Sequence, residues 1–398
     1  MLDATMTTER TGSAAGTHDA VLARVRELIP HIRDGAAVAE QARTISRQIS
    51  NAWLAAGLAR ILIPPRFGGY GLGLETWFEV TREIAKVDAS HAWCAALLIH
   101  HPHYVGQFPE EAQRAVWRDG PDVGIAASIA PVGRITRVAG GYRVSGQFGF
   151  ASGINQCTWT IVAGMTDFGA GPEHGWFLIG PGDFTVSDTW FTAAMCATGS
   201  NTVVCDDVFV PESHAVRMLD LREGAGPGGA IHTSPIFRAP FVTYSTLTFV
   251  TPILGAAQGA YQLFRDWTRT RRGVTGAPVA EIPRIQARLA RAAADLDAAE
   301  LLLRRAVAVP QAPTPPSLAL RARSMRDFMR AGELCIDVID DIVAMSGTAA
   351  FASSHPIQRA WRDIHFAAMH ISLNLERNYN HFGRMELGLP PDPQQRIY

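Results

Sequence analysis

GGYRVSGQFGFASGINQCTWTIVAG, residues 140–164, is the stretch from which the fold is read. Tyr142, Val144 and Phe148 alternate with Arg143, Ser145 and Gln147, a period of two that suits a half-buried strand. Gly, Ala, Ser and Asn at 149–155 then interrupt the pattern before a second run dense in Thr, Trp, Ile and Val. The same grammar extends outward through VGIAASIAPVG (123–133), GWFLIG (175–180) and TVVCDDVFVP (202–211), which predicts a compact antiparallel β-domain over residues 122–218.

On both sides the period changes to that of helices. Val21, Leu22, Val25, Leu28, Ile29 and Ile32 form one stripe, and Ile45, Ile49, Trp53 and Leu54 a second. LARILIPPRFGGYGLG (58–73) is irregular because its Pro-Pro and Gly-Gly pairs break any period, and helical patterning resumes over Leu74–Ala85 and His91–Leu98. Residues 19–121 therefore read as a helical domain, preceded by a disordered tail at 1–18. After a glycine-rich linker at 219–236, helical runs over 244–270, 282–309, 317–345 and 357–382 predict a helical bundle spanning 237–398.

Composition narrows the function classes. With 36 basic and 37 acidic residues the formal charge is −1, which gives no electrostatic footprint for nucleic acid or an anionic membrane. The 47% hydrophobic content supports a large core. Cys94, Cys157, Cys196, Cys205 and Cys335 are scattered without paired spacing, as expected of reduced thiols in a cytoplasmic protein. The N-terminus has no basic-then-apolar signal pattern, and the apolar run at 247–257 is too short to span a bilayer. No metal is expected, because His100, His101 and His103 have no acidic or cysteine partner at ligand spacing. No GxGxxG turn opens a βαβ unit, so the chain is not expected to bind a nicotinamide cofactor.

The order helices, β-domain, bundle, together with three strings, resembles the acyl-CoA dehydrogenase superfamily. GLARILIPPRFGGYGL (57–72) is similar to its N-terminal glycine-rich loop, residues 140–164 to its flavin-facing segment, and PIQRAWRDIHFAAMH (356–370) to the element before its C-terminal active-site residue. The resemblance covers the chain beyond the tail. It implies an α+β, mostly α fold: an N-terminal helical domain, a central antiparallel β-barrel or sandwich, and a C-terminal four-helix bundle.

Two chemistries compete on this fold. A dehydrogenase needs a carboxylate to remove a proton beside a thioester. Eight residues after Asp363, where the commonest dehydrogenases carry that glutamate, stands Ile371, and the DWTRTRRG string offers only Asp266. His370 stands beside Ile371 instead, a pattern that resembles the group D two-component flavin monooxygenases, among them the oxygenase components of para-hydroxyphenylacetate hydroxylase and dibenzothiophene monooxygenase. What this implies is a reduced flavin (FADH2 or FMNH2) delivered by a separate NAD(P)H:flavin reductase, O2 as co-substrate, a C4a-hydroperoxide as oxidant, an aromatic small molecule as substrate, and a homotetramer. A flavin desaturase of the dehydrogenase type is the alternative.

The resemblance also implies roles. Ser152 is expected at flavin N5, where without the resemblance it reads as a turn serine, and Ser128 at the substrate end of the pocket, where it reads equally as a strand serine. His370 is expected beside the activated oxygen and His101 beside the substrate, since a neutral imidazole donates or accepts a proton. The string LLIHHPHYVGQF leaves the choice among His100, His101 and His103 open. Phe150 and Trp159 are expected near the flavin ring, Arg269 and Arg271 at its phosphate, and Tyr104 and Phe241 in the substrate pocket. The aromatic residues Trp93, Phe148 and Phe237 read as further lining or as ordinary core.

Overall fold

The structure, a computed structural model, describes residues 14–169 and 171–390, so the assignment of residues 1–13 to a tail lies outside the described residues. Residues 14–18, expected to belong to that tail, are folded. A 3-10 turn at Ala14–Gly16 leads into α1 (His18–Ala42), Thr17 caps it by accepting from Ala20 N, and His18 Nδ1 bonds Thr76 Oγ1 at 2.9 Å. The helical unit continues through α2 (Arg47–Ala55), α3 (Leu74–Ala85), α4 (Ala89–Val105) and α5 (Glu110–Val116). Every residue of α4 except Leu98 is buried, as befits a helix apolar on all sides. Asp88 caps its N-terminus, accepting from His91 N at 2.9 Å.

The β-domain has seven strands: β1 (Ile125–Val138), β2 (Gly141–Phe148), β3 (Trp159–Asp167), β4 (Pro172–Ile179), β5 (Thr185–Ser187), β6 (Thr202–Pro211) and β7 (Ala215–Arg217). Their order is β5-β6-β2-β1-β3-β4-β7. The expected antiparallel arrangement holds at every pairing but one: β1 and β3 run parallel, with Ile125 beside Trp159 and Ser128 beside Val162. After β2 the chain crosses back to the start of β1, so β3 travels in the same direction. Tyr142 of β2 packs on Phe177 of β4 at 5.1 Å between ring centroids, so the sheet folds over on itself around a small core of its own. Alternation then sends Ile161, Ala163, Trp176 and Leu178 to the opposite face, where they join the main core with α4.

The connection at 219–236, expected to be a glycine-rich linker loop, is packed. It contains α6 (Met218–Arg222), and a Cβ on Gly228 would lie 1.9 Å from Phe108 O, so only glycine fits there. The bundle comprises α7 (Leu247–Thr270), α8 (Pro283–Ala308), α9 (Leu318–Ser346) and α10 (Pro356–Ala368), with α11 (Leu375–Glu386) against α9. Gly259 lets α7 approach α3, since a Cβ there would meet Lys86 O at 1.9 Å. The helix expected over 357–382 is broken. α10 ends at Ala368, a 3-10 turn follows at Ile371–Leu373, and Asn374 caps α11 by accepting from Arg377 N. His370 sits in that break. Among the described residues no helix is long and apolar enough to cross a membrane.

Candidate active site

A cavity of about 450 Å³ lies where α4, the sheet and the α10–α11 break meet. That is within the roughly 300–1,000 Å³ typical of small-molecule sites. Trp93, Leu97, His101 and Tyr104, spaced by one helical turn, give it one wall from α4. Ser128 comes from β1, at the last register position before its irregularity, and Phe150 and Ser152 from the crossover after β2. Met195, Thr198 and Ser200 come from the segment before β6, Phe249 from α7, and His370 and Ile371 from the helix break. Phe150 has a positive φ of 62° and is 76% exposed at the rim, where it meets Trp190 edge-on.

The two histidines present opposite faces. His101 Nδ1 lies 2.7 Å from Ile125 O, a group that only accepts, so Nδ1 carries the proton and Nε2 offers a lone pair to the cavity. His370 Nδ1 accepts from Ser372 N at 3.2 Å, so in its neutral form the proton is on Nε2. Its ring stacks on Phe249 with centroids 3.7 Å apart and meets Trp93 edge-on. Burial pushes both imidazoles down to a pKa of about 4, with nearby Arg377 adding to the effect on His370. Both are neutral at pH 7.

The serines are equally directed. Ser128 Oγ donates its one proton to Gly149 O at 2.6 Å and keeps only acceptor capacity. Ser152 Oγ accepts from Trp93 Nε1 at 3.2 Å and lies 2.7 Å from Ser200 Oγ, which in turn lies 2.7 Å from Thr198 Oγ1. The segment bearing Thr198 is held from below by α10. Arg362 donates to Ala193 O, and Asp363 accepts from Met195 N at 2.6 Å. Burial, with Asp88 nearby, raises the Asp363 carboxyl to about 7.

Of the residues singled out in the sequence, Trp93, His101, Tyr104, Ser128, Phe150, Ser152 and His370 line one cavity. The histidine ambiguity resolves: His100 bonds Thr248 and His103 bonds Ile236 O, both inside the core, and only His101 reaches the cavity. Phe241 does not line it. It stands behind Tyr104, packed against Trp176 and Tyr244. Trp159 faces away, stacked near His214, because its position on β3 puts it on the other side of the strand's start. Arg269 is in an exposed pair with Asp266, and Arg271 lies over Trp267 and donates to Met345 O, so neither lines the cavity. Phe148 and Phe237 are core residues. Sequence reasoning missed Phe249, Trp190, Thr198 and Ser200, which carry no local signal for the site.

No Asp or Glu is among the described residues lining the cavity, and Asp266 is in surface ion pairs. A proton-abstracting carboxylate is therefore missing from this wall. Among the described residues no cluster of three or more His, Cys, Asp or Glu could hold a metal. The donor set fits a reduced flavin ring: flat aromatic walls, an acceptor at Ser152 for a ring N–H, and a neutral donor at His370.

The buried imidazoles carry a stability consequence. His101 and His103 have folded-state pKa values near 4 against an ordinary 6.5, so they stay neutral while the unfolded chain takes up protons. Stability present above pH 6.5 is then lost as pH falls toward 4, each histidine giving up roughly 2 kcal/mol by pH 5. The melting temperature is expected to drop between pH 7 and 5, and His103→Gln to flatten that drop; calorimetry across the range checks it.

Family models described as acyl-CoA dehydrogenase N-terminal and C-terminal domains match residues 16–119 and 247–375. The chain belongs to the acyl-CoA dehydrogenase family. It is 34% identical to the flavin-dependent monooxygenase, oxygenase subunit HsaA, of Mycobacterium tuberculosis, over 93% of this chain and 96% of that one. It is 33% identical to the FADH(2)-dependent resorcinol hydroxylase, oxygenase component, of a Rhizobium species, over 95% and 96%. The solved structure of XiaF from a Streptomyces species, in complex with FADH2 and glycerol, matches with a TM-score of 0.86 at 29% identity, covering 94% of this chain and 96% of that one.

Proposed function

We infer that this chain is the oxygenase component of a two-component flavin-dependent monooxygenase that hydroxylates a phenol. The observation that carries the substrate class is the pair of acceptors, His101 Nε2 and Ser128 Oγ, each with its proton already committed to a backbone carbonyl. A phenolic O–H supplies the donor they lack, whereas a thioether or an ether brings only further acceptors. Reduced flavin, when bound, supplies the electrons that activate O2 for transfer of one oxygen atom to the ring.

The chain's own residues do the rest. Ser152 would receive the N5–H of a bound reduced ring, with Phe150 beside it at the cavity rim. His101 accepts the phenol proton, and electron density moves into the ring carbon that is to be oxidised. Burial disfavours a lone imidazolium at His101, but a phenolate beside it offsets that penalty. His370 donates through Nε2 to the oxygen on which charge collects. The apolar wall of Leu97, Phe249 and Met195 keeps water out. In this reading Arg269 and Arg271 serve the flavin phosphate of a neighbouring copy in a homotetramer. Its support is the exposure of Arg269 and of Leu263, Leu301 and Phe351 on the bundle.

The test supplies chemically reduced FAD or FMN, 18O2 and a panel of phenols with their methyl ethers. Labelled catechols or hydroquinones, oxidised ortho or para to the existing hydroxyl, are expected from the phenols, with the ethers at least about 100-fold poorer in kcat/KM. Equal turnover of phenol and ether would remove the acceptor-pair argument. Turnover of an acyl-CoA without oxygen incorporation would remove the monooxygenase reading itself.

A further inference from the structure

The polar wall at Ser152 is a chain of single protons whose direction is determined at its far end. Met195 O is a carbonyl and only accepts, so the 2.8 Å contact with Thr198 Oγ1 takes the threonine proton. Trp190 Nε1, at 3.0 Å, and Thr198 N, at 3.2 Å, donate to the same carbonyl, and the hydroxyl contact is the shortest of the three. With its proton spent, Thr198 meets Ser200 as an acceptor, and the 2.7 Å bond between them takes the Ser200 proton. Ser200 in turn meets Ser152 as an acceptor and takes the Ser152 proton across another 2.7 Å. Trp93 Nε1, which only donates, occupies one lone pair of Ser152. One thing is left for the cavity: the second lone pair of Ser152.

We propose that Thr198 and Ser200 make the flavin subsite selective for the redox state of the ring, by holding Ser152 as an obligate acceptor. The proposal rests on the reading that Ser152 faces flavin N5. Reduced flavin carries a hydrogen on N5 and donates it to Ser152. Oxidised flavin presents a bare N5 lone pair, so two acceptors face each other across the contact and the oxidised ring binds poorly. Thr198 and Ser200 border the cavity but act in this scheme only through Ser152 and are positioning residues; both are buried, at 2% and 3% exposure, so a lost hydroxyl is poorly replaced by water. Asp363 and Arg362 anchor the far end by gripping the backbone on both sides of Ala194. The arrangement suits a protein that must capture reduced flavin made elsewhere and release it once oxidised.

The test measures Kd for oxidised and, anaerobically, for reduced flavin in the full-length protein and in variants. In Ser200→Ala the Ser152 proton is freed toward the cavity, and in Thr198→Val the Ser200 proton turns back onto Ser152 and has the same effect. Both variants are expected to bind oxidised flavin about tenfold tighter, the size of one unsatisfied hydrogen bond repaired. With reduced-flavin affinity no better than before, the bound two-electron potential falls by about 30 mV per tenfold change in the ratio. A gain in affinity is not what a damaged fold produces, and Ser200→Thr and Thr198→Ser, which keep the hydroxyls, are expected to retain the original ratio. Ser152→Ala should weaken reduced flavin and strengthen oxidised flavin less than Ser200→Ala does, because it removes the opposed acceptor without supplying a donor. If Ser152→Ala changes neither affinity, Ser152 does not meet the ring and the site reading falls with the proposal. If Ser152→Ala behaves as expected but Ser200→Ala and Thr198→Val leave oxidised-flavin affinity unchanged or lower, the proton chain is refuted and the site reading stands.

Discussion

His101→Ala is expected to lower kcat/KM for a phenolic substrate by about 10²- to 10³-fold, the range for loss of a positioned proton acceptor. His101 Nε2 is a bare nitrogen facing the cavity because Ile125 O holds the proton on the other side of the ring. Alanine removes the imidazole acceptor and leaves Ser128 Oγ, a far weaker base whose own proton is tied to Gly149 O. The substrate then stays in its poorly nucleophilic neutral form while the oxidant decays, so H2O2 should rise as product falls. The substitution also strips Ile125 O of its donor, at a stability cost of roughly 1–3 kcal/mol, so the melting temperature is measured beside the kinetics. Full activity of a folded His101→Ala protein toward phenols would contradict the role.

The second large effect falls on coupling. His370 is held in the break between α10 and α11 with Nδ1 accepting from Ser372 N, which leaves Nε2–H as the donor. Removing one preorganised donor from a dry site costs about 10²–10³ in the step it serves. His370→Ala should therefore turn most of the reducing equivalents into H2O2, measured as hydroxylated product per peroxide released. His370→Phe preserves the stack on Phe249 without the donor and should behave like alanine. His370→Asn restores an N–H and should recover part of the yield. Unchanged coupling in both His370→Ala and His370→Phe would show that the donor is not used.

Much of this architecture is legible in the sequence because period and punctuation are local. The change from a period of two to 3.6 locates the β-domain between helical units, and Ile371 beside His370 separates the two chemistries possible on the fold. What is illegible depends on what lies across space. Strand period says nothing of direction, so the parallel pairing of β1 with β3 is visible only in three dimensions. Phe241 and Tyr104 have the same aromatic character, yet one lines the cavity and the other stands behind it. His101 differs from His100 and His103 only in meeting Ile125 O rather than Thr248 or Ile236 O. Thr198 and Ser200 reach the site because Asp363, 168 positions from Met195, holds their loop in place.

The parallel pairing has a consequence for the order of assembly. β1 and β2 join through a tight turn and zip locally, but β3 adds to β1 only after residues 149–158 have crossed back along the sheet. Ser152 and Phe150 ride on that crossing segment, which is also tied to the loop before β6, with Ala151 N donating to Asn201 O and Gly153 N to Thr198 O. This wall of the cavity is therefore built from contacts distant along the chain, and its assembly is expected to follow that of the β1–β2 hairpin.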